Sequence, residues 1–367
     1  MKYQRIPYKA EGTKFITRKM PYGGKELTVP VIDFPISSVE NFKLSWKRQT
    51  PMWAPISLLE IDMISLGKTS RFPELVAKNE RFDFCDEWGV EWVYVAEVGG
   101  PMLKPGTQFL DDITNWEKDT KFPDWNEAYP FASRADNYYK NRKNPDSVLS
   151  IDIGSGGTER LVAMLGGYEQ AMIAMAMEPE AVSDFLDAAS DNMIARFDAV
   201  KKHWPDVNMI TFHDDWATER GPFFSEKYLE DMVLKSTKKL INHVKASGDI
   251  AFEFHCCGNI AMFMPYIVDM GVDILQIQRR ANDMPAFKQK YGDKVGFATS
   301  LEGVEMGADI PREERLEKVR QTLDIYGKSG GLYLNVGISK DEAAIWDSCY
   351  EAYCYSRELY DKERGEI

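Results

Sequence analysis

The chain is short of most features that would fix a function at a glance. It has no run of about 18 apolar residues, which excludes a membrane-spanning helix. It has no basic tract. Lys and Arg number 45 against 58 Asp and Glu, for a net charge of −13, so a nucleic-acid surface, which needs clustered cations, is excluded as well. The acidity reads as solubility. Cysteine is sparse and odd in number, five with Cys256 and Cys257 adjacent, which makes a poor disulfide framework; a reduced, cytoplasmic setting is expected. The opening MKYQRIPYKAEGTKF has basic residues but no apolar h-region, so no secretory signal is expected. Only four histidines occur in 367 residues.

What is present is an alternation. Residues 1–50 are polar and irregular apart from Thr28-Val-Pro-Val-Ile-Asp33, and read as an N-terminal arm. Beyond them, short apolar runs alternate with longer amphipathic stretches. The runs are Pro55–Ile61, Glu91–Glu97, Ser147–Ile153, Asn208–His213, Ile250–His255, Val272–Ile277, Val295–Thr299 and Gly331–Val336. Pro55–Ile61 could equally begin a helix. Short runs of this kind suit strands buried on both faces. Helical spacing follows Ser225 (Leu229, Met232, Val233, Leu240, Val244) and recurs over 259–270, 313–328 and 340–362. Strands alternating with helices imply a parallel sheet, and eight such units favour a closed (β/α)8 TIM barrel spanning 51–367. The stretch 103–146, rich in Trp, Pro, Asp and Asn, is too long for a simple loop and is expected as an insertion over the C-terminal face.

Barrels of this type gather their chemistry at the C-terminal ends of the strands. His203 and His243 lie in Lys-flanked helical stretches and read as surface residues. His213 and His255 each fall on the last position of an apolar run. His255 and Cys257, two apart at a strand end, leave on the same side of an extended chain, and imidazole plus thiolate is a good partial zinc site. The alternative is that Cys256 and Cys257 are small apolar fillers. Asn259 is placed to cap the next helix, whose dipole would lower a nearby thiol's pKa. Asp214 and Asp215 follow His213 directly and can accept protons, hold a cation or orient a histidine; an ordinary polar turn is the alternative. Glu97, Asp152 and Glu302 sit at or just past strand ends, where structural ion pairs are as natural as catalysis.

These residues carry a resemblance. Asp214-Asp215 leads into Arg220-Gly221-Pro222-Phe223-Phe224-Ser225, a strand ends in His255-Cys256-Cys257-Gly258, and Gly271-Val-Asp-Ile-Leu275 and Tyr291-Gly-Asp-Lys294 follow. The segment 208–303 thereby resembles the uroporphyrinogen-decarboxylase-like superfamily, with weaker likeness through Gly99-Gly-Pro-Met102, Glu159-Arg160 and Met177-Glu-Pro-Glu180. The decarboxylases grip a polycarboxylate with arginines at their first strand. Here Pro51-Met-Trp-Ala-Pro-Ile-Ser-Leu-Leu-Glu60 has none, which implies a smaller, less anionic, aromatic substrate.

The resemblance therefore implies the cobalamin-dependent methyltransferase branch. Its thiol-methylating members hold zinc on His-x-Cys and a second Cys at the last strand, where this chain has Ile338. The metal set implied here is His255 and Cys257 with an open third ligand, Glu302 or His213. That departure implies the other half of the branch, which moves a methyl group from a small methoxylated donor to the Co(I) corrinoid of a partner protein. His213 or His255 would protonate the leaving oxygen, with Asp214 and Asp215 orienting the imidazole, and Glu97, Met102, Trp216, Arg220 and Glu302 would line the substrate. A thiol methyltransferase, a decarboxylase-like enzyme, a non-catalytic partner of a corrinoid protein and a homodimer stay open.

Overall fold

The computed structural model describes residues 14–19, 26–67, 80–96, 100–142, 144–301, 310–336 and 342–366. The chain opens with an antiparallel hairpin of β1 (Phe15–Lys19) and β2 (Glu26–Pro30), followed by the helix Ser38–Trp46. Ser37 and Glu40 start that helix with a reciprocal capping box, each satisfying a backbone N–H of the first turn. The barrel begins at Pro55–Ile56, passes through one helical turn at Ser57–Glu60, and continues into β3 (Ile61–Ser65). Both readings of Pro55–Ile61 are thus partly right: its ends are extended and its middle is a turn of helix.

The next elements, β4 (Phe82–Cys85), β5 (Glu91–Val95) and β6 (Gly100–Leu103), form a separate antiparallel sheet. The apolar run at Glu91, expected as a barrel strand, pairs in this sheet instead. Its pattern of buried Trp92, Val93 and Tyr94 suits either sheet, and the short turn after Asp86 makes the antiparallel partner the local one. The helix Phe131–Asn141 and shorter turns complete the chain up to β7 (Val148–Ser155).

From there the alternation is regular. Helices Gly157–Met164, Tyr168–Met177 and Pro179–His203 lead to β8 (Met209–His213), and a small hairpin of β9 (Ala217–Thr218) and β10 (Gly221–Pro222) follows. Helix Leu234–Ala246 leads to β11 (Ala251–Cys256), Met264–Asp269 to β12 (Ile274–Ile277), Met284–Tyr291 to β13 (Gly296–Thr299), and Arg312–Tyr326 to β14 (Leu332–Leu334). Helix Glu342–Glu363 ends the fold.

The seven parallel strands run in the order β14-β13-β12-β11-β8-β7-β3, and a parallel bridge from Leu334 to Ile56 brings the first stave alongside the last. The architecture is a (β/α)8 barrel. No helix among the described residues is long and apolar enough to cross a membrane.

Strand alternation divides the side chains. On β11, Phe252, Phe254 and Cys256 face outward into the helices, all fully buried, while Ala251, Glu253 and His255 face inward. Each buried Phe contributes roughly 1.5–3 kcal/mol of transfer free energy. The floor of the interior is apolar: Ile61, Val148, Met209, Ala251, Ile274, Ala298 and Tyr333 close around Phe42 and Trp46, so the helix Ser38–Trp46 plugs the bottom. Above the floor the inward residues turn polar, with Ser150, Thr211, Glu253 and Gln276, and above these come Asp152, His213 and His255. The apolar floor therefore directs access to the opposite, C-terminal end.

The residues between β3 and β7 are tied to the barrel's flank. Asp86 accepts hydrogen bonds from the backbone N–H of Trp88 and Val90 and from Trp92 Nε1, and pairs with the Arg160 guanidinium, both partners buried. Arg196, fully buried, donates to Ile153 O and Gly67 O and lies 4.4 Å from the centre of the Trp125 ring.

Candidate active site

Register places the site. His213 pairs with His255 across β8 and β11, and His255 pairs with Gln276 across β11 and β12. Residues level on neighbouring parallel strands point the same way, so the two imidazoles face each other with ring centres 4.6 Å apart. His213 Nε2 lies 3.5 Å from Asp152 Oδ1 on β7. His255 Nδ1 meets Gln276 Oε1 at 2.6 Å, and its Nε2 lies 3.3 Å from Cys257 Sγ.

The two consecutive aspartates diverge. Asp215 turns toward the hollow and accepts the Cys257 backbone N–H at 2.6 Å. Ligand atoms of Asp215, His255 and Cys257 all lie within 4.8 Å of one another. Asp214 turns away and is fully buried. It accepts hydrogen bonds from the Thr158 hydroxyl, the Glu159 backbone N–H at 2.9 Å and Trp216 Nε1 at 2.8 Å, anchoring the start of helix Gly157–Met164 to β8. It orients neither histidine, contrary to the sequence expectation.

Electrostatics separate the roles. Burial, reinforced by His213, pushes the His255 pKa down to about 4, so this imidazole stays neutral near pH 7 and is better suited to ligation than to acid catalysis. Burial and the Asp215 carboxylate push Cys257 up to about 12. The net shift is upward, opposite to the lowering expected from the following helix. Asn259 does cap the following turn, its Oδ1 accepting the Ala261 N–H at 3.1 Å. The Cys257 thiol faces two acceptors, His255 Nε2 and the Asp215 carboxylate. A divalent cation in place of that proton would meet nitrogen, sulfur and oxygen donors, a set that fits zinc. Gly258 makes the turn possible: its φ is +82°, and a Cβ there would stand 2.3 Å from Ala217 O.

Asp214 is expected to leave a mark on stability. Burial raises its pKa from 3.8 to about 7. The folded state therefore holds this proton more tightly than the unfolded chain. The resulting stabilisation is complete below pH 3.8 and is lost as pH rises through about 7, an effect on the order of 4 kcal/mol. Asp214→Asn should remove this component, so that the stability difference between variant and wild type, from urea unfolding, changes steadily between those pH values. A difference independent of pH would refute it.

Other expected site residues scatter. Trp216 is fully buried, packed on Phe254, Phe224 and Phe263, and belongs to the core, not the mouth. Arg220 is exposed on the β9–β10 hairpin, and Met102 is exposed on β6 in the separate sheet. Glu97, Glu302 and Ile338 lie outside the described residues. His203 and His243 sit on outer helices, as expected. Two residues were missed. Glu159, held by Asp214 through its backbone, acts electrostatically on Asp215, Cys257 and Tyr168. Gln276 bonds His255 directly. The first could have been found as an acid in the turn after a strand end, the second as a polar residue at an inward strand position. Tyr168 stacks on Phe223 at 4.2 Å between ring centres.

The uroporphyrinogen decarboxylase (URO-D) family model matches residues 86–338, which include every residue of this cluster. The chain belongs to that family. Among solved structures, a methyltransferase from Methanosarcina mazei is similar to this URO-D family chain at 14% identity and a TM-score of 0.54, covering 71% of this chain and 72% of its own. A putative vitamin-B12-independent methionine synthase from Listeria monocytogenes shares 14% identity over 63% of this chain and 70% of its own, at a TM-score of 0.38, too loose to carry an argument. No curated protein matches the chain. The URO-D family hollow seen here is acidic, with Asp152, Asp215 and Glu159 around the two histidines, a poor lining for a polycarboxylate.

Proposed function

We propose that this chain is a methyltransferase that takes a methyl group from a small methoxylated aromatic donor and delivers it to the Co(I) corrinoid (cobalamin type) of a separate protein. The observation that carries the reading is the convergence of Asp215, His255 and Cys257 into one donor set beside His213. Zinc bound by these three residues would supply Lewis acidity toward the ether oxygen. The methyl carbon–oxygen bond breaks as the carbon–cobalt bond forms, and the departing phenolate needs a proton. His213, oriented by Asp152, stands beside the donor set and supplies it, a contribution typically worth about 10²–10⁴ in rate. His255, being neutral, is kept for ligation. The stacked Tyr168 and Phe223 offer a planar apolar surface near the acidic cluster for the donor's ring.

A second reading, methyl transfer to a thiol, gains from one observation. Asp215 completes a three-donor set without the second cysteine that Ile338 displaces. The test is to mix the purified protein with an aryl methyl ether and a reduced corrinoid protein and to follow methylcobalamin absorbance. Growth of that absorbance with release of the phenol is expected. Transfer from methylcobalamin to a thiol, with every ether inert, would select the second reading; transfer to neither would defeat both.

A further inference from the structure

Below the donor set lies a chain of hydrogen bonds that the proposed reaction does not touch. Glu253 is fully buried inside the barrel, one inward position beneath His255 on β11. Its Oε2 accepts the Thr211 hydroxyl at 2.6 Å, and its Oε1 accepts the Tyr333 hydroxyl. Gln276 Nε2 donates to the same Oε1 at 3.5 Å, the longest link of the chain, and also donates to the Tyr333 oxygen. At its other end, Gln276 Oε1 lies 2.6 Å from His255 Nδ1.

The polarity of this chain has one consistent direction. An amide has a donor end and an acceptor end. Were Gln276 turned over, its carbonyl oxygen would face a carboxylate oxygen and its NH₂ would face the ring nitrogen. Glu253 Oε1, already accepting from Tyr333, sets the NH₂ end toward itself. The carbonyl end must then meet a donor, so His255 carries its proton on Nδ1. The lone pair is left on Nε2, the nitrogen that points at Cys257 Sγ.

We propose that Gln276, backed by Glu253, is a positioning residue that locks His255 in the Nδ1–H tautomer and so presents Nε2 as its ligand nitrogen. The metal-affinity part of this inference rests on the reading of Asp215, His255 and Cys257 as a metal site; the tautomer part does not. Partners of this type, which fix the tautomer and ring orientation of a ligating imidazole, typically contribute about 10–100-fold in metal affinity.

The experiment has two readouts. Nitrogen-15 NMR of the histidine rings in metal-free wild-type protein, with His255 assigned through His255→Gln, should show protonated Nδ1 and unprotonated Nε2. Gln276→Leu should lose that single tautomer and bind zinc about 10–100-fold more weakly in competition with a chelator. The double variant Glu253→Gln with Gln276→Glu, which exchanges amide and carboxyl while keeping an acceptor toward His255, should restore both readouts toward wild type. A wild-type His255 protonated on Nε2 would overturn the inference, as would a Gln276→Leu protein with unchanged tautomer and affinity. Wild-type protein that binds no zinc would sink the metal reading alone, and the tautomer spectrum would still decide the role of Gln276.

Discussion

Replacing Cys257 by alanine is expected to reduce bound zinc from about one equivalent per chain to near zero, and methyl transfer with it. The side chain supplies the only sulfur among the three converging donors, and its neighbours His255 and Asp215 are too few to hold a zinc ion tightly. Lewis-acid stabilisation of several kcal/mol corresponds to roughly a thousandfold or more in rate at about 1.4 kcal/mol per decade. His255→Ala should behave alike. His213→Ala should differ in kind: zinc content unchanged, with transfer slower by about 10²–10⁴ through loss of the proton donor. Its deficit should shrink for donors whose leaving phenol is more acidic, since such an oxygen needs less help to depart. Metal analysis of each variant, paired with initial rates across ethers of graded phenol acidity, separates the roles. Full zinc content in the Cys257 variant would remove the site as described.

The second large effect concerns the fold. Asp86→Ala is expected to cost about 3–5 kcal/mol of unfolding free energy, measured by urea midpoint, because it strands the buried Arg160 guanidinium without its carboxylate. Trp92 Nε1 and the N–H groups of Trp88 and Val90 lose their acceptor in the same step. Asp86 joins the antiparallel sheet to helix Gly157–Met164, and Arg160 is the next residue after Glu159. Activity should therefore fall at temperatures where the variant is still folded. A change under 1 kcal/mol would show that the sheet is held by its apolar packing alone.

Much of this was readable from the chain. The apolar runs ending at His213 and His255 identified two neighbouring strands and their polar, C-terminal ends, because buried parallel strands leave continuous apolar runs and barrels place their polar residues at one end. The spacing of His255 and Cys257 put their side chains on one side, as they are, because side chains two apart on an extended chain share a face. That Asp215, and not Asp214, joins them was not readable. Asp214 and Asp215 are chemically identical neighbours, and only the packing of Thr158 and Trp216 decides which one is drawn into the core. The same packing removed Trp216 from the mouth. The run at Glu91 looks like any barrel strand because its burial pattern records that it is covered, not which sheet covers it. Ile61–Ser65, short and interrupted by Asp62 and Ser65, carried too little apolar signal to be seen as a strand in its own right. Gln276 escaped notice because it neither titrates nor ligates; its importance comes from what stands at each of its ends.

The position of β11, fourth in a row of seven, has a mechanical consequence. The seam, where a single bridge among the described residues joins Ile56 to Leu334, lies on the far side of the ring from the strand that bears His255 and Cys257. Opening there would let the cylinder flex while the three strands carrying His213, His255 and Gln276 stay clasped. Backbone amides beside the seam should thus exchange with solvent long before those at the middle of β11.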